Sequence, residues 1–400
     1  MVKSVQLNDN LRHKRKIMGS SIFLIMLSML PLIQLSKVLR LISLESALFS
    51  FTFILLICCL IALFLRNPML GIPYFICVLM VILALSAALY SIYDLSFTYF
   101  YKVFIFITTI LCILFVTQYP LEYRNLHWIY RISMIQSLIF AFAYVTNRTY
   151  PYGILSSITF GFTNPNFTGM WLLHLICINM VYVCKKVSQK KYSPAIFAFA
   201  ITALDLYFIV LTDSRSSLMG VVLLLIGALL NLKKKRFFHI PHVLAASIPG
   251  IVAAIYLMLV NSGAISIFGA FSAAGKELTS RVEIWNEGFN AISDSPIFGA
   301  YYDVLFHMSS SQLHNIYIDT AATFGIPMAI AFFWFINDVL KTVASKVHSL
   351  QQNMAYWGFC AILFVGSFEA SLVSGGTGMY IMSCALLVLA LHEQPDVSQK

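Results

Sequence analysis

Three side chains in this sequence have the chemistry needed to bind a phosphate group and to move a proton. Arg215 and Arg281 carry planar guanidinium groups, which match the oxygens of a phosphate. His314 carries an imidazole, the side chain best suited to take up a proton near neutral pH. We therefore expect the two arginines to bind an anion and the histidine to move a proton if the fold brings these three residues to one side.

Each of the three residues also has a simpler interpretation. Arg215 and Asp213 could form only the polar turn between two apolar stretches, where an arginine can reach water. Arg281 could be a solvated partner of a nearby glutamate on the same helix. His314 could be a polar anchor or a cap at the start of a helix.

Several polar residues stand close to these three and are candidate supporting groups. Asn315 follows His314 directly, and Asp319 could orient the imidazole or face a polar cavity. In the segment "FTNPNF", Asn164 precedes a proline and should be extended, and Asn166 is expected to cap the following helix. Glu369 lies near the outer end of a predicted span.

The composition is that of a membrane protein with many spans. Of the 400 residues, 60% are hydrophobic and only 10% are charged, whereas a soluble domain has about 25% charged residues. The net charge of +10 comes from short basic runs between apolar stretches, so it reports membrane topology and not binding to nucleic acid. None of the eight cysteines lies in a metal-binding spacing.

The apolar stretches predict an all-α bundle of about twelve transmembrane helices in one domain, residues 1–400. Most of the basic residues then fall on one side, which places both termini in the cytoplasm. The predicted spans lie near 17–36, 44–65, 69–91, 96–118, 126–146, 167–184, 193–212, 214–231, 238–261, 315–338, 352–371 and 375–392.

One long outer loop, residues 262–313, contains a short amphipathic helix. The pair Ser280 and Glu283 has the spacing of a capping box, which predicts a helix that begins at Arg281. Trp285 lies on its apolar face, and the first turn carries Arg281, where free backbone N–H groups favour an anion. This helix is expected to lie on the outer membrane surface.

The order of these motifs resembles the O-antigen ligase and O-antigen polymerase superfamily of bacterial envelope glycosyltransferases. The matching elements lie within residues 160–340: "DSRSS" at the start of a span, "SRVEIWNEGFNAISDSPIFGAY" in the outer loop, and "LHNIYIDTAATFGIP" leading into a span. In this chain the motif residues are Ser214, Arg215, Arg281, Trp285, Pro296, Gly299, His314, Asn315 and Gly325, and the "NPN" of 164–166 also recurs in the family.

The resemblance implies a lipid-linked glycan transferase of the bacterial cytoplasmic (inner) membrane, with its active site facing the periplasm or exterior. The donor would be an undecaprenyl-diphosphate-linked glycan, the acceptor a hydroxyl of a glycan or of lipid A core, and no metal or other cofactor is expected. By resemblance, Arg215 and Arg281 bind the donor diphosphate and His314 assists the acceptor hydroxyl. Other polysaccharide-assembly proteins are candidate partners, and nucleic acid is not.

Two reactions and one other class of protein remain as alternatives. A repeat-unit polymerase, for capsule, exopolysaccharide or lipopolysaccharide, is favoured slightly over a ligase because "FTNPN" is more similar to polymerases. A glycan-lipid transporter or flippase would need charges at the membrane midplane and internal repeats. The polar residues here gather on one face instead, which disfavours transport.

Overall fold

The structure is a computed structural model, and it shows a helical bundle with one very short pair of strands. The described residues are 29–33, 35, 38, 72–90, 97–118, 126–152, 157–162, 164–231, 239–261, 274–299, 313–369 and 377–392. Two strands, β1 (Pro151–Tyr152) and β2 (Ser157–Ile158), pair antiparallel between the third and fourth helices. Apart from this short pair, the regular elements of the described residues are helices, so the predicted all-α class is confirmed for the described part of the chain.

The described helices follow one another with short connections on most of the chain. In chain order they are α1 (Ile72–Tyr90), α2 (Phe97–Gln118), α3 (His127–Val145), α4 (Pro165–Ser188), α5 (Tyr192–Thr212), α6 (Arg215–Asn231), α7 (His242–Asn261), α8 (Ala274–Asp294), α9 (Ile316–Phe324), α10 (Ile326–Lys346), α11 (Leu350–Val365) and α12 (Thr377–His392).

The lengths and surfaces of these helices are those of a membrane protein. Within the described residues, α3, α4, α5 and α10 are long and apolar enough to cross a membrane. Large apolar side chains such as Ile196, Phe199 and Val210 on α5 are exposed, as expected of helices that face lipid. The number of twelve spans and the cytoplasmic termini stay predictions, and the predicted spans 17–36 and 44–65 lie largely outside the described residues.

The predicted span 315–338 is broken in two. Gly325 separates α9 from α10 with a φ of 91°, a conformation that suits glycine. The turn that follows α8 fills this break: the Ile326 N–H donates to the Pro296 carbonyl at 2.8 Å. A Cβ on Gly325 would collide with the Ile297 carbonyl, so the turn after α8 can pack against this break only if residue 325 is a glycine.

Helix α8, which was predicted for the outer loop, begins earlier than the capping-box signature predicted. It starts at Ala274 and not at Arg281, so Ser280 is not its N-cap. The upstream residues include Ala, Lys, Glu and Leu, which are good helix formers and extend the helix toward the N-terminus. The predicted apolar face is confirmed: Trp285 is buried in a cluster with Ala253 of α7 and Ile318 of α9.

A buried polar cluster joins α3, α4 and α5. Asp205 on α5 is fully buried, and its Oδ2 accepts from Ser137 Oγ at 2.7 Å and from Asn179 Nδ2 at 3.4 Å. Ser133 Oγ donates to Asn179 Oδ1 at 2.9 Å. These hydrogen bonds link three helices within the bundle. Asp205 Oδ1 is buried and has no hydrogen-bond partner among the described residues.

Replacing Asp205 with Leu should therefore destabilise the protein, whereas Asp205→Asn should be tolerated. The leucine leaves Ser137 and Asn179 without their shared acceptor, at a cost of about 1–2 kcal/mol. The asparagine keeps an oxygen at that position and serves as the matched control. The melting temperature of the purified protein in detergent measures the difference, and equal values for the two variants would contradict a linking role.

Candidate active site

Four helix ends meet at one end of the bundle. The starts of α4, α6 and α9 and the end of α11 contribute the polar residues there. The contacts between them are direct: a Cβ on Gly169 of α4 would collide with the Ser214 side chain before α6. The Ile316 N–H at the start of α9 donates to the Gly366 carbonyl after α11 at 2.9 Å.

His314 and Glu369 form the central pair of this site. His314 Nδ1 lies 3.0 Å from Glu369 Oε2, and the two side chains are 15% and 3% exposed. The other carboxylate oxygen, Oε1, accepts from Asn166 Nδ2 at 2.9 Å. Three residues that are far apart in the chain therefore form one hydrogen-bonded row, in which the imidazole uses its Nδ1 atom.

In the "NPN" segment, the residue that caps the following helix is not the one expected. Asn164, and not Asn166, is the N-cap of α4, and its side chain accepts from the Asn166 N–H at 2.8 Å. Pro165 occupies the first turn, where its missing N–H has no consequence. Asn164 is extended as predicted. Because the side chain of Asn164 caps the helix, the side chain of Asn166 is not needed for the cap and contacts Glu369 instead.

The backbone around His314 is held in an uncommon conformation. His314 has a φ of 50°, in the left-handed region. Asn315 follows as the N-cap of α9 and accepts from the N–H groups of Tyr317 and Ile318 at 3.0 and 3.2 Å. Its amide donates to the carbonyls of Pro249 and Ser367 at 3.0 and 3.3 Å, so this fully buried side chain is satisfied on all sides.

Asp319 supports the same turn from within α9. Its Oδ1 lies 3.5 Å from the Leu313 N–H, the residue before His314, and its side chain is buried. The carboxylate that contacts the imidazole is that of Glu369, and Asp319 contacts the backbone instead. Asp319 therefore contacts the backbone directly before the turn at His314.

Arg215 lies at the first position of α6, with its side chain half exposed. Its Nε is 4.0 Å from Asp213 Oδ1, and both side chains are largely in solvent, so this pair adds little stability. Asp213 ends α5 with a φ of 54°, a conformation that aspartate tolerates better than most residues. Arg215 is thus available to an anion, and Asp213 shapes the turn.

Arg281 lies on α8, and the position of its side chain falls outside the described residues. The helix that carries it is fixed by Trp285, which packs against α7 and α9. At Gly288, a Cβ would meet Ile318 Cγ2 at 2.9 Å, so α8 approaches α9 closely. The backbone of α8 therefore lies against the helix that begins next to His314.

Some residues of the site were not recognisable from the sequence. Pro249 and Ser367 anchor Asn315 through backbone carbonyls, which every residue has, so no signal marks them. The pairing of His314 with Glu369 depends on how α9 meets α11. Within the part of the chain that the structure describes, no three His, Cys, Asp or Glu side chains gather in a group that could bind a metal ion.

Comparison with known proteins supports the resemblance drawn from the motifs. Residues 198–333 match the family described as O-antigen ligase. That segment includes Arg215, Arg281 and His314, whereas Asn166 and Glu369 lie outside it. No curated protein and no solved structure shows a significant match to this chain. The match covers less than half of the chain; over that segment the protein is similar to the O-antigen ligase family, which together with the apolar helices supports a membrane protein of polysaccharide biosynthesis.

Proposed function

We propose that this protein is a membrane glycosyltransferase of the outer side of the bacterial cytoplasmic membrane. Its donor is an undecaprenyl-diphosphate-linked oligo- or polysaccharide, and its acceptor is a sugar hydroxyl. The reaction is the polymerisation of surface-polysaccharide repeat units. Ligation of the finished polymer to lipid A core is the alternative within the same chemistry.

The observation that carries this proposal is the hydrogen-bonded row of His314, Glu369 and Asn166. Glu369 accepts from the Nδ1–H of His314, which leaves Nε2 as the basic nitrogen. Asn166 donates to the second carboxylate oxygen and fixes the plane of the carboxylate. A buried carboxylate in this position orients the imidazole and stabilises the imidazolium that forms when a proton is taken up.

The reaction follows from these positions. The acceptor hydroxyl attacks the anomeric carbon of the donor sugar, and its proton passes to His314 Nε2. The bond between the anomeric carbon and the phosphate oxygen breaks, and the diphosphate leaves with the electron pair. The products are a new glycosidic bond and undecaprenyl diphosphate, while Glu369 balances the charge on the imidazolium.

The two arginines are proposed to act on the departing diphosphate. Negative charge increases on its bridging oxygen in the transition state, so guanidinium groups placed there lower the barrier more than they tighten substrate binding. Arg215 at the start of α6 is available because its contact with Asp213 is long and exposed. Arg281 would join it from α8, and the packing of Trp285 on α8 against Ile318 on α9 supports this proposal.

Deletion of the gene in its host tests the function and separates the two reactions. Without a polymerase, single repeat units should appear on the acceptor. Without a ligase, polymer should accumulate on undecaprenyl diphosphate. Gel separation of the envelope glycan, with analysis of the lipid carrier, distinguishes these outcomes, and complementation with the intact gene is the control. Glycan of normal length and carrier occupancy in the deletion strain would contradict both assignments.

A further inference from the structure

Helices α4 and α6 touch each other next to their first residues, at the candidate active site. A Cβ on Gly169 of α4 would collide with the Cβ and the hydroxyl of Ser214, and it would lie 2.9 Å from Ser217 Oγ. The two serines are buried, and Ser214 Oγ donates to Ser217 Oγ at 2.9 Å. Because a Cβ is fixed by its own backbone, a side chain at residue 169 would push the backbone of Ser214 away.

Both sides of this contact carry a residue of the candidate site. Asn166 lies three residues before Gly169, on the same side of α4, and its side chain donates to Glu369 at 2.9 Å. On the other side, Arg215 follows Ser214 directly and is the first residue of α6. The contact therefore lies between the arginine proposed to bind the diphosphate and the row that holds the imidazole.

A second close contact limits the movement of α6 relative to α11. A Cβ on Gly220 would meet Leu173 Cδ2 of α4 at 2.6 Å and Val365 Cγ2 of α11 at 2.9 Å. The Val365 carbonyl accepts from the Glu369 N–H at 2.9 Å. Helix α6 is thus packed between the two helices that support the carboxylate of the site, and its first residue is registered against both.

We propose that Gly169 is a positioning residue, which sets the place of Arg215 relative to the pair of His314 and Glu369. The inference rests on the proposed function, since it concerns the groups that act there on the diphosphate and on the acceptor hydroxyl. Negative charge develops on the diphosphate while the hydroxyl loses its proton, so both groups must be in place together. A helix start that is fixed by packing holds the guanidinium near the imidazole in advance of the reaction.

Gly169→Ala tests this role in the full-length protein. Because a displacement of about 1 Å can cost on the order of 10²-fold in rate, kcat for transfer from a purified lipid-linked donor should fall roughly 10- to 100-fold. Gly227→Ala is the matched control: its Cβ would collide with the Trp357 ring near the other end of α6. That variant should lose melting temperature in detergent but keep kcat. Equal losses of kcat in the two variants would overturn the proposal.

Removing the other partner of the collision should rescue the variant. Ser214 directly precedes α6, where glycine is tolerated almost as well as serine. In the double variant Gly169→Ala/Ser214→Gly, the added methyl group takes the space that the serine side chain leaves. Its kcat should therefore equal that of Ser214→Gly alone. A loss of the same size with and without the serine would show that this contact does not place Arg215.

Arg215→Lys as a second background distinguishes positioning from a general loss of packing. Lysine keeps the charge on a flexible stem and lacks the planar fork, so its action depends less on where the helix begins. Gly169→Ala should lower kcat clearly less in this background, whereas the melting temperature should fall equally in both. If kcat fell by the same factor in both backgrounds, Gly169 would be a packing residue only.

The intact protein in the same assay separates this inference from the proposed function. If the intact protein transfers glycan but the variants of Gly169 depart from these expectations, the positioning role alone is wrong. If the intact protein transfers no glycan from lipid-linked donors, the proposed function is wrong, and the positioning role is rejected with it.

Discussion

Replacing His314 with Ala should lower the rate of glycan transfer by about 10²–10⁴-fold, the usual contribution of a general base. The affinity for the donor should change little, because the proposed role of the imidazole is to take a proton from the acceptor hydroxyl. The fold should also persist, since Asn315 retains its four hydrogen bonds to α7, α9 and the segment after α11. Transfer from a purified lipid-linked donor in detergent, with separate kcat and KM values, measures the effect.

His348→Ala is the matched control for this experiment. His348 is an exposed histidine between α10 and α11, away from the row of His314, Glu369 and Asn166. Its replacement should leave both kinetic constants at the level of the intact protein. Full activity in the His314→Ala protein, at normal expression and melting temperature, would remove the proposed base.

Replacing Glu369 with Gln should lower kcat by a factor on the order of 10² or more while KM for the donor stays near its original value. The carboxylate accepts hydrogen bonds on both sides, from His314 and from Asn166. A glutamine has one oxygen only, so its NH₂ group must face one of these two donors. If it faces His314, the imidazole keeps its proton on Nε2, which is the wrong tautomer for a base.

Glu369→Asp distinguishes a positioning role from a structural one. It keeps the negative charge but shortens the side chain, so part of the lost activity should return. Glu287→Gln on the exposed face of α8 is the control for loss of a carboxylate outside the row of His314, Glu369 and Asn166. Equal activities of the Gln and intact proteins would show that Glu369 does not orient His314.

The positions of the helices were predictable because apolar length is a local property. The predicted span 193–212 is observed as Tyr192–Thr212, and the predicted span 214–231 is observed as Arg215–Asn231. The break at Gly325 was missed although Gly-Ile-Pro marks it, because hydropathy continues through it. At α8 a capping signature was given more weight than helix propensity, and the helix includes the residues before it.

The candidate site residues could be proposed from the sequence, but the contacts between them could not. His314 and Asn315 adjoin in the chain, so their common position follows from the sequence. Glu369 comes after a further helix, α11, and its contact with His314 depends on how that helix packs. The cap at Asn164 could have been found, because a proline at the first helical position indicates that the preceding residue is the cap.

The docking of the Pro296 turn at Gly325 ties α8 to the helix that follows His314. Gly299 lies against Thr323 and Phe324 at the end of α9, while Leu313 lies at its start. The described residues on the two sides of segment 300–312 thus contact the two ends of one helix that is only about 13 Å long. A change in the tilt of α9 would therefore move α8 and the backbone of His314 together.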